Sequence, residues 1–173
     1  YHDLGEDFFA QSRSPGDNWA DLKAQVAANR HGVSALGRLL GESSLDNVTA
    51  QMEALYDRSA ALMAAKLADF PEGTAEDRLD DGSVIRVRLA GGERLSVDFT
   101  GSAPVHPGNL NATPAIVRGA VLYALRLWVD TDVPLNEGLL DRVEIITEEG
   151  ILAPPLVRDP VKCPAVVGGN VET

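Results

Sequence analysis

The order of hydrophobic periods along this 173-residue chain predicts an α+β fold. Three observations carry that prediction. Apolar residues recur at helical spacing over roughly the first seventy positions. The period then drops to two beyond residue 84. A Pro-, Gly- and Asn-rich stretch follows and runs into a third helical stripe before two short apolar runs. The expected architecture is an antiparallel helical hairpin, then a β-hairpin, a third helix and further short strands.

Residues 1–17 read as an irregular entry segment, and Ser14-Pro15-Gly16-Asp17 as a turn. With Asp17 or Asn18 as the cap, Leu22, Val26, Val33, Leu36, Leu39 and Leu40 form one stripe, which predicts a helix over 18–40 stopped by Gly41. Ser43 or Ser44 caps a second helix. Its stripe is Val48, Met52, Leu55, Tyr56, Ser59, Leu62, Met63 and Leu67, and it closes at Pro71 and Gly73. The short connection implies that these helices pack as a hairpin over 18–71.

The remaining portion, 72–173, is the α+β part. Ile85, Val87 and Leu89 alternate with Val84, Arg86 and Arg88. Ala90-Gly91-Gly92-Glu93 turns the chain, and Leu95, Val97 and Phe99 alternate again: a β-hairpin. Thr113 as cap and Pro114 at the first helical position start the third helix, with Ile116, Ala120, Tyr123 and Leu127 expected on its buried side. Residues 130–138 read as a loop. Val143–Thr147 and Ile151-Leu152 read as strands about a Glu148-Glu149-Gly150 turn.

Charge and composition narrow the function. Fifteen Lys and Arg against 26 Asp and Glu give a net charge of −11, which argues against a general nucleic-acid binder needing a basic face. The longest apolar stretch, 115–129, is broken by Arg118 and Arg126, so no membrane span is expected. A single cysteine, Cys163, allows no internal disulfide and suggests a reducing, cytoplasmic setting. Lys162 beside it would favour a thiolate, yet no histidine can be placed near it, so Cys163 is read as a small packed residue. The opening at Tyr1 and the close on Gly168-Gly169-Asn170-Val171-Glu172-Thr173 suggest a piece of a longer chain, truncated at its C-terminal end.

No nucleotide-cradling loop is evident. Gly91-Gly92 sits in a hairpin turn, and Gly168-Gly169 lacks the Lys-Ser/Thr that reaches phosphate and magnesium. His2, His31 and His106 form no short metal motif. His106 is a weak metal or ligand candidate because it lies in the Gly/Asn/Pro loop, and no metal is otherwise expected within these residues. The polar segments are the informative ones. Asp98, Thr100 and Ser102 follow a strand, and Asn109 and Asn111 lead into a helix N-terminus, whose free N–H groups suit an anion or carbonyl. Asn136-Glu137 and Asn170-Val171-Glu172 form two further polar segments. Each of these segments either lines a shared site or bonds its own backbone.

Six segments, in order, resemble one family. Asp17–Asn29 (DNWADLKAQVAAN) is similar to its GDLxAQxAAN helix, 97–102 (VDFTGS) to its VDFTGS strand, and 108–114 (GNLNATP) to its GxxNxxP loop. AVLYALR at 120–126, PLNEG at 134–138 and GNVET at 169–173 continue the pattern. The family is that of hydantoinase B and oxoprolinase, which also includes large subunits of acetone and acetophenone carboxylases. The resemblance covers essentially the whole chain after residue 10.

It implies an ATP-dependent cyclic-amide hydrolase that opens hydantoin or 5-oxoproline. ATP and Mg2+ would be held by a hydantoinase A-type partner subunit or domain in an oligomeric complex, and a divalent metal would be bound upstream of Tyr1. An unstrained lactam is a poor electrophile, and phosphorylating its oxygen makes it a good one. The in-family alternative is an ATP-dependent ketone carboxylase, and the non-enzymatic alternative is an assembly domain. The resemblance places Asp98, Thr100, Ser102, Asn109, Asn111, Asn136, Glu137, Asn170 and Glu172 at motif positions, as substrate-binding or active-site-wall candidates. It assigns no catalytic residue, and these 173 residues alone are expected to be inactive.

Overall fold

A computed structural model describes residues 6–10, 12, 14–159 and 161–166. The chain divides into two compact units, 1–52 and 53–173.

The first unit holds a short 3₁₀ turn, Glu6–Phe9, and helix α1, Pro15–Glu42. Pro15 takes the first helical position, where its missing N–H costs nothing, so the helix starts before the expected Asp17 or Asn18 cap. Asn18 instead donates from Nδ2 to Ser12 Oγ at 2.8 Å, and Phe9 packs near Trp19 at 6.4 Å between ring centres. Gly41 lies inside the helix, and Ser43 ends it by donating its N–H to Leu39 O. None of α1's residues is buried. Val33, Leu36, Leu39 and Leu40 of the expected stripe are exposed.

Helix α2, Leu45–Leu67, begins where Ser44 Oγ accepts the Asn47 N–H, as the cap reading required. Its later half belongs to the second unit and buries Ser59, Met63 and Leu67. A four-stranded sheet follows in the order β1-β2-β3-β4: Gly73–Arg78, Val84–Ala90, Leu95–Asp98 and Val143–Ile146. The first three strands are antiparallel. The predicted hairpin pairs Leu89 with Val97, and β3 pairs with β4 in parallel, Val97 opposite Ile145. A parallel pair needs a long crossover, and helix α3, Pro114–Val129, with the 3₁₀ turn Glu137–Leu140 lies in that connection.

Strand β1 was not expected. Ile151 and Leu152, expected as a strand, are instead buried in a turn beside an isolated Gly150–Ala153 bridge. On α3 the buried stripe is Val117, Val121, Leu125 and Val129 rather than the expected one. Ile116 and Ala120 are half-buried, while Tyr123 and Leu127 are each 61% exposed. The core joins Met63 and Leu67 of α2, Leu95 and Val97 of β3, Val121, Leu125 and Val129 of α3, and Leu139, Leu140 and Val143. A smaller cluster of Ala112, Val117, Ile151 and Leu152 packs beneath the polar loops. Among the described residues no helix is long and apolar enough to cross a membrane.

Candidate functional site

Period-two alternation gives the sheet two unlike faces. Val87, Leu89 and Val97 share the α3 side. Arg86, Arg88, Glu76 and Asp98 share the other, since β2 pairs Arg86 with Glu76 and Arg88 with Asp98. Glu76 bridges Arg78 and Arg86, each at 2.7 Å, and the hydrogen bond from Arg86 holds its carboxyl below the usual range.

The polar loops gather at the ends of β3 and β4 because both strands run the same way. Phe99 extends the ladder by donating to Ile146 O at 2.9 Å. The chain then turns at Gly101, whose positive φ of 85° suits glycine. Gly101 N–H donates to Glu148 Oε1 at 2.8 Å, Ala103 N–H to Val84 O at 2.7 Å, and Ile151 N–H to Ala103 O at 3.0 Å. Residues 99–103 are thereby stitched between β2 and the 148–152 turn.

Asp98 closes this turn on itself. Its carboxylate accepts the Thr100 N–H at 2.9 Å and has Arg88 at 3.6 Å. Hydrogen bonds from the Thr100 side chain, then its backbone, and the Arg88 charge hold Asp98 ionised below the ordinary carboxylate range. Ser102 is a brace: Oγ accepts the Arg86 N–H at 3.1 Å and donates to Phe99 O at 2.8 Å. Thr100 and Asn109 are exposed.

The Asn-rich loop is organised by Asn111, which is fully buried. Its Oδ1 accepts the His106 N–H at 2.7 Å, and its Nδ2 donates to His106 O at 2.9 Å and Ala165 O at 2.8 Å. One amide thus ties three backbone groups at 2.9 Å or less, with Gly108 O a fourth at 3.4 Å, the task for which a buried Asn is suited. His106 accepts the Gly108 N–H at Nδ1 and reaches Asp81 from Nε2 at 2.8 Å. Both ring nitrogens are therefore engaged by groups of this chain. Asp81 is held below its ordinary range, chiefly by the Ser83 backbone and hydroxyl and then by His106. Among the described residues no three His, Cys, Asp or Glu side chains gather as a metal site. The α3 N-terminus is also occupied: Thr113 O and Oγ1 both accept the Ile116 N–H.

The Asn136 segment is a separate joint. Asn136 Oδ1 accepts the Gly138 N–H at 2.9 Å, and Nδ2 donates to Ser59 Oγ on α2 at 2.8 Å and to Pro134 O at 2.7 Å. Ser59, wholly buried, donates its hydroxyl in a hydrogen bond to Leu55 O. Glu137 faces outward and pairs with Arg118 of α3. Tyr56 donates to Asp141 at 2.8 Å, which raises its pKa.

Of the nine motif residues, Asp98, Thr100 and Ser102 thus share one turn. Asn109 and Asn111 share the next loop, Asn136 and Glu137 form the separate joint, and Asn170 and Glu172 lie outside the described residues. Sequence reasoning missed Arg88, Glu148 and Asp81. Arg88 alone carried a signal, its outward place in an alternating strand. Cys163 is exposed rather than packed.

Comparison with known proteins places this fold in a family. The family model described as hydantoinase B/oxoprolinase matches residues 2–173. The chain belongs to the hydantoinase B/oxoprolinase family. It is 40% identical over 171 residues to the 5-oxoprolinase of Saccharomyces cerevisiae, covering 94% of this chain and 13% of that protein. It is 36% identical over 176 residues to 5-oxoprolinase 1 of Arabidopsis thaliana, covering 91% and 14%. The crystal structure of the ATP-dependent caprolactamase from Pseudomonas jessenii superposes with a TM-score of 0.65 at 25% identity, over 90% of this chain and 28% of that one. The chain therefore spans about an eighth to a quarter of the length of these relatives.

Proposed function

We propose that this chain is part of an ATP-dependent cyclic-amide hydrolase of the 5-oxoprolinase type. The observation that carries this reading is 40% identity, over nearly the whole chain, to a 5-oxoprolinase. A caprolactamase of the same fold supports the lactam class and the ATP requirement. In this reading ATP, when bound, supplies phosphoryl activation of the lactam oxygen, turning a stable amide into a hydrolysable one.

The described residues fit a substrate wall better than a nucleotide site. The Gly91-Gly92 turn meets a carboxylate, since Gly91 N–H donates to Glu72 Oε1 at 3.0 Å, and a phosphate placed there would be repelled. ATP and Mg2+ are therefore assigned to a hydantoinase A-type subunit or domain, and any divalent metal to residues outside this chain. Asp98, kept ionised, is suited to accept a ring N–H, and exposed Arg88 is suited to face a substrate carboxylate. Thr100 and Asn109 complete the wall, while Ser102 and Asn111 hold its backbone; Asn136 and Glu137 belong to the separate joint against α2 and α3. The setting is a reducing cytoplasm, in keeping with the single free thiol.

The test is ADP release by the complete polypeptide together with its ATP-binding component. The panel is 5-oxoproline, hydantoins, and acetone with and without bicarbonate. Release driven by 5-oxoproline without bicarbonate is the expected result. Dependence on a ketone together with bicarbonate would overturn the reading in favour of a carboxylase. Turnover by the 173-residue chain alone would overturn the assignment of ATP to another component.

A further inference from the structure

The apolar face of the sheet is only partly covered. α3 seals Val121, Leu125 and Val129 against the core, but Val87 and Leu89 of β2 remain half-buried. Between α3 and this face opens a groove of about 410 Å³, its walls including Phe70, Val87, Leu89, Phe99, Ala124 and Trp128. Trp128 packs tilted against Phe70 at 5.0 Å between ring centres, and both line it. No lining residue carries a charge, and the indole nitrogen is the one polar side-chain atom among them. The outer surface of α3 extends the patch, since Tyr123 and Leu127 are each 61% exposed. A continuous apolar patch of this kind marks a contact surface.

Three features select the occupant. A small apolar molecule in the groove would leave Tyr123 and Leu127 bare, whereas a polypeptide segment covers both. A second copy of this chain would bring two net charges of −11 together, which opposes close pairing. The same unit is carried in relatives by chains of which it is only 13–28%, so ample polypeptide surrounds it there. We propose that the groove seats an uncharged segment of the surrounding hydantoinase B/oxoprolinase polypeptide, with large aliphatic or aromatic side chains entering between α3 and β2–β3. The inference rests on family membership and not on the substrate reading.

Ala124 provides the test, because it lines the groove and is exposed in these residues alone. Ala124→Cys is introduced with Cys163→Ser into both the complete polypeptide and the 173-residue chain, and maleimide labelling at position 124 is followed by peptide mass. In the complete polypeptide labelling should run at least about 100-fold slower than at a Tyr123→Cys site in the unfolded protein, because it then waits on local opening. In the 173-residue chain it should be fast. Fast labelling in the complete polypeptide overturns the proposal. So does protection lost on dilution to single copies, which assigns the groove to self-association, and so does equal protection in the short chain. As a second readout, Ala124→Trp should lower the melting temperature of the complete polypeptide by displacing the segment. An unchanged or raised value overturns the proposal as well.

Discussion

Gly138 is the position where a single methyl group separates the bracing role of the Asn136 segment from a ligand-binding one. Its φ is not positive, so the constraint there is space rather than backbone conformation. A Cβ would lie 2.3 Å from Tyr56 O, and 2.9 Å from both Asn136 Oδ1 and Ser59 Cβ. The nearest atom is helix backbone and cannot swing aside. Gly138→Ala must therefore push the 3₁₀ turn away from α2, and overpacking of this kind costs roughly 1–3 kcal/mol. The same movement stretches the Gly138–Asn136 and Asn136–Ser59 hydrogen bonds, at about 1 kcal/mol each. It also drags at Leu139 and Leu140, both in the core. The expected loss is about 3–5 kcal/mol, or a fall of about 6–20 °C in melting temperature for a chain of this size. Far-ultraviolet circular dichroism during heating and in urea measures it. The matched control is Gly119→Ala on α3, where a Cβ meets nothing within 4 Å and the gain should be about 0.5–1 kcal/mol. A Gly138→Ala melting temperature within about 2 °C of the parent would refute the reasoning, because the joint would then be loose enough to absorb a methyl group.

The other loops yield predictions of different kinds. Asn111→Ala removes the partner of the His106 N–H and of two carbonyls in a buried position, so the urea midpoint should fall by the equivalent of about 3 kcal/mol; a shift below a third of that would show that water replaces the amide. Asp98 has its folded pKa lowered, so it stabilises the chain above its ordinary value near 3.8, and that contribution disappears as pH falls through the lowered folded value. Asp98→Asn should therefore flatten the loss of stability on acidification, and an acid slope equal to the parent's in urea titrations would count against the Thr100 and Arg88 contacts. Asn109→Ala touches an exposed side chain and should leave stability within about 0.5 kcal/mol, whereas Thr100→Val also removes the hydroxyl bonded to Asp98 and should weaken the stability that Asp98 contributes above its ordinary pKa. In the complete enzyme each should lower kcat/KM for 5-oxoproline by about tenfold or more, as loss of one hydrogen bond to a charged or activated substrate implies. Unchanged kinetics would remove them from the substrate wall.

What could be read from the sequence follows from how local each feature is. The β2–β3 hairpin was legible because alternation and the Gly91-Gly92 turn lie in one short window, and the Thr113-Pro114 start of α3 is equally local. The buried side of α3 was not. Nearly every position from Ile116 to Val129 is apolar except Arg118, Gly119 and Arg126, so Ile116/Ala120/Tyr123/Leu127 and Val117/Val121/Leu125/Val129 are equally good stripes, and only the sheet chooses between them. β1 reads GTAEDR and is exposed throughout, so it carries no period; pairing with β2 alone makes it a strand.

The polar loops show the same limit from the functional side. Asp98, Ser102, Asn111 and Asn136 were recognisable as residues held for a purpose. Whether an amide serves a ligand or its own backbone depends on partners such as Ala165 and Ser59, 54 and 77 residues away. Three of those four prove to be braces. In the proposed function a substrate would meet the surface that the braces hold in place, the surface of Thr100, Asn109 and the ionised Asp98 beside Arg88. A mutation in a brace should therefore lower stability and activity together, whereas one at exposed Asn109 should change kinetics alone. That division gives these described motif residues roles that two measurements on one variant can separate.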